Sequence, residues 1–509
     1  MHKATLALAV LLVAAPGCGA PEGSALVPIT TTSEEARQAY LQSRDLFDNL
    51  RMNEARIHAE RAVALDERFA LAHLMVASTA GGTKEFFDSL DRAVTLAGEV
   101  SEGERHVILG FEAGSKGDPE AQREHYRALV LAFPEDARVH QLLAGYFFRR
   151  QEWAEAIEHY RRAIELAPEF PPPYNQLGYA LRYTGEYEEA EKVFREYVRL
   201  MPDEPNPLDS YAELLMQQGR FEESIDKYRE ALERNPEFVP SYIGIGNNLI
   251  FLGEPAEARL TFSMLGEVAS TDAERREALF WTAASFLHEG RFDDAVQTVR
   301  ERYAIAERSG DLTAAAEDRV LIGDILLEAG RPDDALAEFR EAMELSGRSD
   351  SPEEIKRSTA RNLLYYEARV ALARDDPEAA ATIAGRYAGL VEASRIPAEL
   401  RSQRELVGLV ALAEGDYDAA VSNLEKADTK DPRVLYELAL AYRGTGDAGK
   451  ARELAQAAAS FNGLSINYAY VRSRAQQLAD ELEADVTPPA RTSSWSPRRQ
   501  EEAAEPVTA

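Results

Sequence analysis

The feature that most limits what this chain can fold into is a period of 34 residues. From Pro171 to Pro202, apolar or small residues fall at Tyr174, Leu177, Gly178 and Leu181, and after Gly185 they resume at Ala190, Phe194 and Tyr197. Each set has the i, i+3/i+4, i+7 spacing of one helical face, so the stretch reads as two helices joined by a turn. The pattern returns 34 residues later, from Pro205 to Pro236, with Leu208, Tyr211, Ala212, Leu215, Tyr228 and Ala231 around a turn at Gly219. A single hairpin of this kind cannot bury its own apolar face. The next one must cover it, and the product is a stack rather than a globule.

The period runs through most of the chain. First positions fall near Ala36, Ala70, Gly103, Ala137, Pro171, Pro205 and Val239, and the units from Gly103 to Asp272 follow one another without insertion. Looser units start near Arg276, Ala316, Arg361, Arg401 and Pro432, giving about twelve in all. Small residues recur where the helices of a hairpin must approach, as at Gly110, Ala144, Gly178, Gly246, Gly323 and Gly408. Large ones fill the partner helix at Tyr126, Tyr160, Phe194, Tyr228, Phe262 and Phe339. Glycines at 117, 185, 219, 253, 290, 330, 415 and 446 supply the turns, and prolines at 134, 168, 202, 236 and 432 end second helices. These residue classes at this period resemble the tetratricopeptide repeat (TPR) family. The resemblance implies an all-α fold, an α-solenoid of about twelve TPR-like helix–turn–helix repeats forming a right-handed superhelix. On this reading residues 36–272 are a regular array and 273–464 a looser one, with spacers near 309–315, 346–360 and 391–400. Residues 465–485 read as a polar C-terminal capping helix, and 486–509, with Trp495 among Pro, Ser and charge, as a disordered tail.

The N-terminus combines Lys3, an apolar run from Ala4 to Ala15, and small residues before Cys18. The run is too short to span a bilayer and fits the core of a secretory signal peptide. Ala15-Pro16-Gly17-Cys18 resembles a bacterial lipobox, departing from it in having Ala three places before the cysteine and Pro next. Cys18 is the only cysteine, so it has no internal disulfide partner, and lipidation there is the expectation. Residues 1–18 are thus read as a signal peptide and 19–35 as a flexible tether. The implied location is exported, lipid-anchored and facing the periplasm, on the outer membrane by resemblance to lipoproteins with Gly19 after the cysteine. Without modification of Cys18 the protein would be soluble and periplasmic.

Net charge of −31 argues against nucleic acid as a partner, since that requires a basic footprint. Gly444 to Lys450 satisfies the spacing of a phosphate-binding loop, but Ala451 stands where a Mg²⁺-binding Ser/Thr is needed and the flanks are helical. No nucleotide, cofactor or metal is therefore expected, and no catalytic constellation stands out; the reading is of a non-enzyme. His73, His106 and His140 share one repeat position, and His125 and His159 another, which places equivalent histidines about 8–10 Å apart in a stack and outside a shared metal.

In TPR proteins the first helix of each hairpin lines the concave face. Carried over position by position, the resemblance gives Arg149, Asn175, Gln176, Tyr179, Arg182, Tyr183, Asn247 and Phe251 as the candidate groove. Amides there suit an extended peptide backbone, aromatics suit apolar side chains, and Arg149 with Arg182 suits a carboxylate. Asn247 matches one asparagine of the carboxylate clamps that bind chaperone tails, but the accompanying lysines are missing. The expectation is a membrane-anchored protein-interaction scaffold of the cell envelope that binds a partner protein or peptide. The alternative is a glycan- or nutrient-binding lipoprotein working with an outer-membrane transporter.

Overall fold

A computed structural model describes residues 25–80, 82–349, 353–394 and 396–486. Cys18, the expected signal peptide, the first part of the expected tether and the tail beyond 486 lie outside the described residues. Among the described residues the secondary structure is helical throughout, with no strand: twelve successive hairpins followed by one terminal helix, Asn467–Val486. None of these helices is long and apolar enough to cross a membrane.

Local sequence explains each hairpin. The helices Pro172–Thr184 and Tyr187–Leu200 are separated by Gly185, whose φ of +83° belongs to the left-handed region that glycine enters without a Cβ clash. All eight expected turn glycines have φ between +71° and +88°. Leu50, Gln151 and Asp375 take the same turn at φ +61° without glycine's freedom. Within the hairpin, a Cβ placed on Gly178 would lie 2.5 Å from the ring of Phe194, so only glycine lets the helices close to this distance. The large ring thereby sits fully buried on the partner helix. Start signals are local too: Ser101 and Glu104 form a reciprocal capping box at helix Glu102–Ser115, and Asp136 caps helix Ala137–Arg149.

The chain divides into two compact units, Met1–Leu215 with Asp226–Pro236, and Met216–Ile225 with Glu237–Ala509. In the first, the core runs through Tyr146, Phe147, Tyr160, Phe194 and Tyr197, each hairpin covering the last. From Glu102 to Leu200 the helices there are 13–14 residues long, as in Ala137–Arg149 and Trp153–Leu166. From Asp272 in the second unit they lengthen, as in Asp272–His288 (17 residues) and Phe292–Ser309 (18 residues). The spacers read in the sequence are largely absorbed as an added turn of helix.

Candidate functional site

In the first unit, the exposed Arg149 lines a cleft of about 580 Å³ together with Gln141, Phe148, Gln176, Phe86 and Phe111. At its edge Tyr183 lies 46% exposed and stacks on Trp153 with ring centroids 4.8 Å apart. Phe148 meets both rings, edge-on to Trp153 at 5.3 Å and tilted to Tyr183 at 6.2 Å. The half-buried Asn175 has its side-chain oxygen enclosed without a hydrogen-bond partner. Of the expected groove residues, Arg149 and Gln176 line this cleft, and Tyr183 is linked to it through Phe148.

Arg182 behaves differently from the expectation that it would share a partner's carboxylate with Arg149. It is buried, and its Nη1 donates to Glu213 Oε1 at 2.6 Å, while Tyr179 donates its hydroxyl to Glu213 Oε2 at 3.0 Å. The guanidinium also lies over the rings of Tyr179 at 4.6 Å and Tyr183 at 5.0 Å. Burial pushes the Arg182 pKa down and Glu213 pushes it up, with a net rise; burial and then Glu213 push Tyr179 up. The carboxylate of Arg182 is therefore supplied by the next hairpin. Its role is to fix Tyr179 and Tyr183, and Arg149 is the cation left at the cleft.

Asn247 and Phe251 also differ from expectation. In the second unit the terminal helix Asn467–Val486 runs against the first-helix face on which they stand. Tyr468, fully buried, donates its hydroxyl to Asn247 Oδ1 at 2.9 Å, and its ring meets Phe251 edge-on at 4.9 Å. Arg472 lies over Phe251 at 4.4 Å, and Arg474 donates to Glu328 Oε2 at 2.9 Å. Asn247, with no exposed surface, is a seat for the chain's own C-terminal helix. The terminal helix fills this face as well as packing on the last hairpin.

The histidines form pairs that the repeat register hid. His106 and His125 approach Nδ1 to Nδ1 at 2.9 Å, and His140 and His159 at 3.1 Å, so each pair joins the two columns within one hairpin. Burial, then the neighbouring ring, holds His106 and His159 below the ordinary imidazole pKa. Among the described residues no group of three or more His, Cys, Asp or Glu side chains is placed to hold a metal.

A second set of functional residues was missed. Residues 26–31 lie extended across the first unit, and their polar groups meet Asp136, Glu104 and Asp66. Nothing in the sequence around these acids singles them out, because a cap such as Asp136 or Glu104 uses only some of a carboxylate's lone pairs and nothing local shows what takes the rest.

Comparison with known families decides what the hairpins are. Residues 146–182 match the family described as TPR repeat, and residues 175–237 and 411–475 the family described as tetratricopeptide repeat. The hairpins within residues 146–237 and 411–475 are tetratricopeptide repeats. The TPR stack is similar to solved structures of MamA (19% identity over 34% of this chain and 94% of that one, TM-score 0.31). It is also similar to MamA from Desulfovibrio magneticus RS-1 (14% identity, 33% and 95%, TM-score 0.31). A tetratricopeptide repeat protein from Parabacteroides merdae ATCC 43184 aligns over 54% of this chain and 98% of its own, with 18% identity and a TM-score of 0.36. No curated protein gives a significant match. TPR stacks are in general non-catalytic frames on which protein partners assemble.

Proposed function

We propose that this chain is an exported TPR scaffold, held at a bacterial envelope membrane through a lipid on Cys18, that recruits a protein or peptide partner to the first unit. The observation that carries the reading is the cleft of about 580 Å³ in which Arg149, Gln141 and Gln176 stand beside the half-buried rings of Phe86, Phe111 and Phe148. An exposed guanidinium, two amides and rings are the groups that recognise an acidic or C-terminal peptide segment. Seven residues lie between Cys18 and Leu26, so the chain from one to the other spans at most about 29 Å. A lipid at Cys18 would keep the first unit close to the bilayer and raise the local concentration of membrane-bound partners.

Two experiments test this. In fractionated cells Cys18→Ala should lose the mass of the lipid and leave the membrane fraction; unchanged mass and fractionation would remove the anchor. Affinity purification with Arg149→Ala/Tyr183→Ala should lose a protein partner that the native chain retains. The stacked Trp153–Tyr183 pair, at 4.8 Å, is the one observation that favours glycan capture instead. Recovery of a glycan and no protein would establish that alternative.

A further inference from the structure

The segment Leu26–Thr31 is bound by the first unit as a ligand would be. The Val27 N–H donates to Asp136 Oδ2 at 2.9 Å, the Thr30 N–H to Glu104 Oε1 at 2.7 Å, and the Thr31 hydroxyl to Asp66 Oδ2 at 2.5 Å. The Thr30 hydroxyl donates to the second oxygen of Glu104. These acids stand at three successive junctions between hairpins, so the segment runs backwards along the stack. Three extended residues cover about 10 Å, which is the spacing of packed helices about 8–10 Å apart. The register of one backbone N–H per hairpin, at Val27 and Thr30, follows from that match.

Apolar contacts complete the fit. A Cβ on Gly103 would lie 3.1 Å from Val27 and 2.7 Å from Phe133, so the missing side chain leaves room for valine. Val27, Pro28 and Ile29 wall a cavity of about 360 Å³ whose other sides include Leu74, Phe111 and Leu142 on first helices of the hairpins. Pro28 lacks an N–H, and as one of the two positions between the paired donors Val27 and Thr30 it forfeits no bond to either acid by being proline. Glu104 and Asp136 are buried carboxylates whose remaining lone pairs this segment satisfies.

We propose that residues 26–31 are a displaceable occupant of this groove, which they close until an extended partner segment of the same chemistry competes for Asp66, Glu104 and Asp136. That chemistry is β-branched apolar residues around a proline, followed by a hydroxyl residue. The proposal rests on the scaffold reading but concerns a different part of the first unit from Arg149. Because the segment leads directly into the first helix at Glu34, its effective concentration is in the millimolar range of a short tether. A free competitor therefore gains access only when it binds more tightly or when the segment is pulled away.

The test uses the full chain and a fluorescein-labelled peptide of residues 24–33. Val27→Asp/Ile29→Asp sets two acids beside Asp136 and Glu104 and should release the segment. Fluorescence anisotropy should then show the labelled peptide binding this variant at least tenfold more tightly than the native chain. Adding Asp136→Asn preserves the helix cap through Oδ1 but turns the segment-facing oxygen into an amide donor, and should weaken the peptide about tenfold. Hydrogen exchange supplies the second readout: the amides of Val27 and Thr30 should be protected in the native chain and exposed in Asp136→Asn. Equal affinity for native and released chains, or no binding to a released chain with native helix content, overturns the proposal. A protein partner still lost with Arg149→Ala in that case leaves the scaffold reading standing.

Discussion

The two units solve the same stacking problem with different side chains. In the first unit, hairpins from Glu102 to Leu200 pair helices of 13 or 14 residues and meet through rings and small residues, as Gly178 does with Phe194. Helices from Asp272 to Glu414 run to 17–21 residues, and their added turns are held by buried ion pairs. Arg276 and Arg302 both donate to Oδ1 of Asp318, which has no exposed surface. Arg361 grips Glu399 through both Nε, at 3.0 Å, and Nη2, at 2.8 Å. Length added to an apolar hairpin needs no specific partner, whereas length secured by charge depends on each partner. The grooves differ in parallel: one holds an extended segment, the other the helix Asn467–Val486.

The comparison breaks most sharply at Asp318. Asp318→Asn leaves two buried guanidiniums facing one neutral amide, and removal of one member of a buried ion cluster costs about 3–5 kcal/mol. Burial, then Arg276, already pushes Arg302 down to about 10, so the cluster has no spare compensation. Hydrogen exchange resolved by peptide should show the second unit opening, with protection in residues 137–200 unchanged. Equal loss in both units would mean that they do not unfold separately.

The effect of a glycine substitution should change sign with what its Cβ meets, in either unit: Gly323 of the second unit is as close to Phe339, at 2.4 Å, as Gly178 of the first is to Phe194. At Gly178 a methyl group meets the Phe194 ring, and overpacking of this kind costs about 1–3 kcal/mol. At Gly389, within helix Pro377–Ser394, a Cβ would meet nothing within 4 Å, so Gly389→Ala should gain about 0.5–1 kcal/mol from helix propensity. Urea unfolding monitored by circular dichroism compares the two variants directly.

These contrasts show which parts of the molecule could be read in advance. The turn glycines, the Gly178–Phe194 type of pairing and the hairpin starts up to Val239 and at Pro432 were visible, because each depends on residues within one 34-residue unit. The lengthened hairpins, by contrast, start four to eight residues before the positions expected. The occupants of the grooves were not. Thr30 meets Glu104 across 74 residues and Tyr468 meets Asn247 across 221, and no periodicity encodes such a separation. The groove positions themselves followed from the repeat register, but register cannot tell a free asparagine from one already hydrogen-bonded. The histidine pairs failed for a related reason. Aligning His106 with His140 compares neighbouring hairpins, while the contact that forms is within a hairpin, His106 with His125.

Acid should move the units in opposite directions. His106 and His159 have lowered pKa values because of burial and then the paired ring, so the unfolded chain binds more protons than the folded one below about pH 6.5. Their contribution is complete above that pH and is lost as pH falls. Glu405, raised by burial, and Glu437, raised by burial and then by Glu405, bind protons more readily when folded. Their contribution is full below the ordinary carboxylate value and is lost as pH rises through the raised one. Between pH 7 and pH 5 the first unit should therefore lose protection and the second gain it in hydrogen exchange corrected for intrinsic rates. His125→Phe should flatten the first trend and Glu437→Gln the second.

The smallest expected effect lies at the turns. Gln151 and Asp375 each adopt φ +61° where most equivalent turns have glycine. A left-handed conformation crowds the Cβ of glutamine against the following carbonyl, and glycine removes that crowding while adding freedom to the unfolded chain. The balance favours Gln151→Gly by about 0.5–1 kcal/mol in the first unit. Aspartate enters this region more easily because its short carboxylate bonds locally, so Asp375→Gly in the second unit should gain less. Urea midpoints measured at constant m-value check the order. If Asp375→Gly gains as much as Gln151→Gly, the two turns are equally strained and residue type at the turn does not distinguish the units.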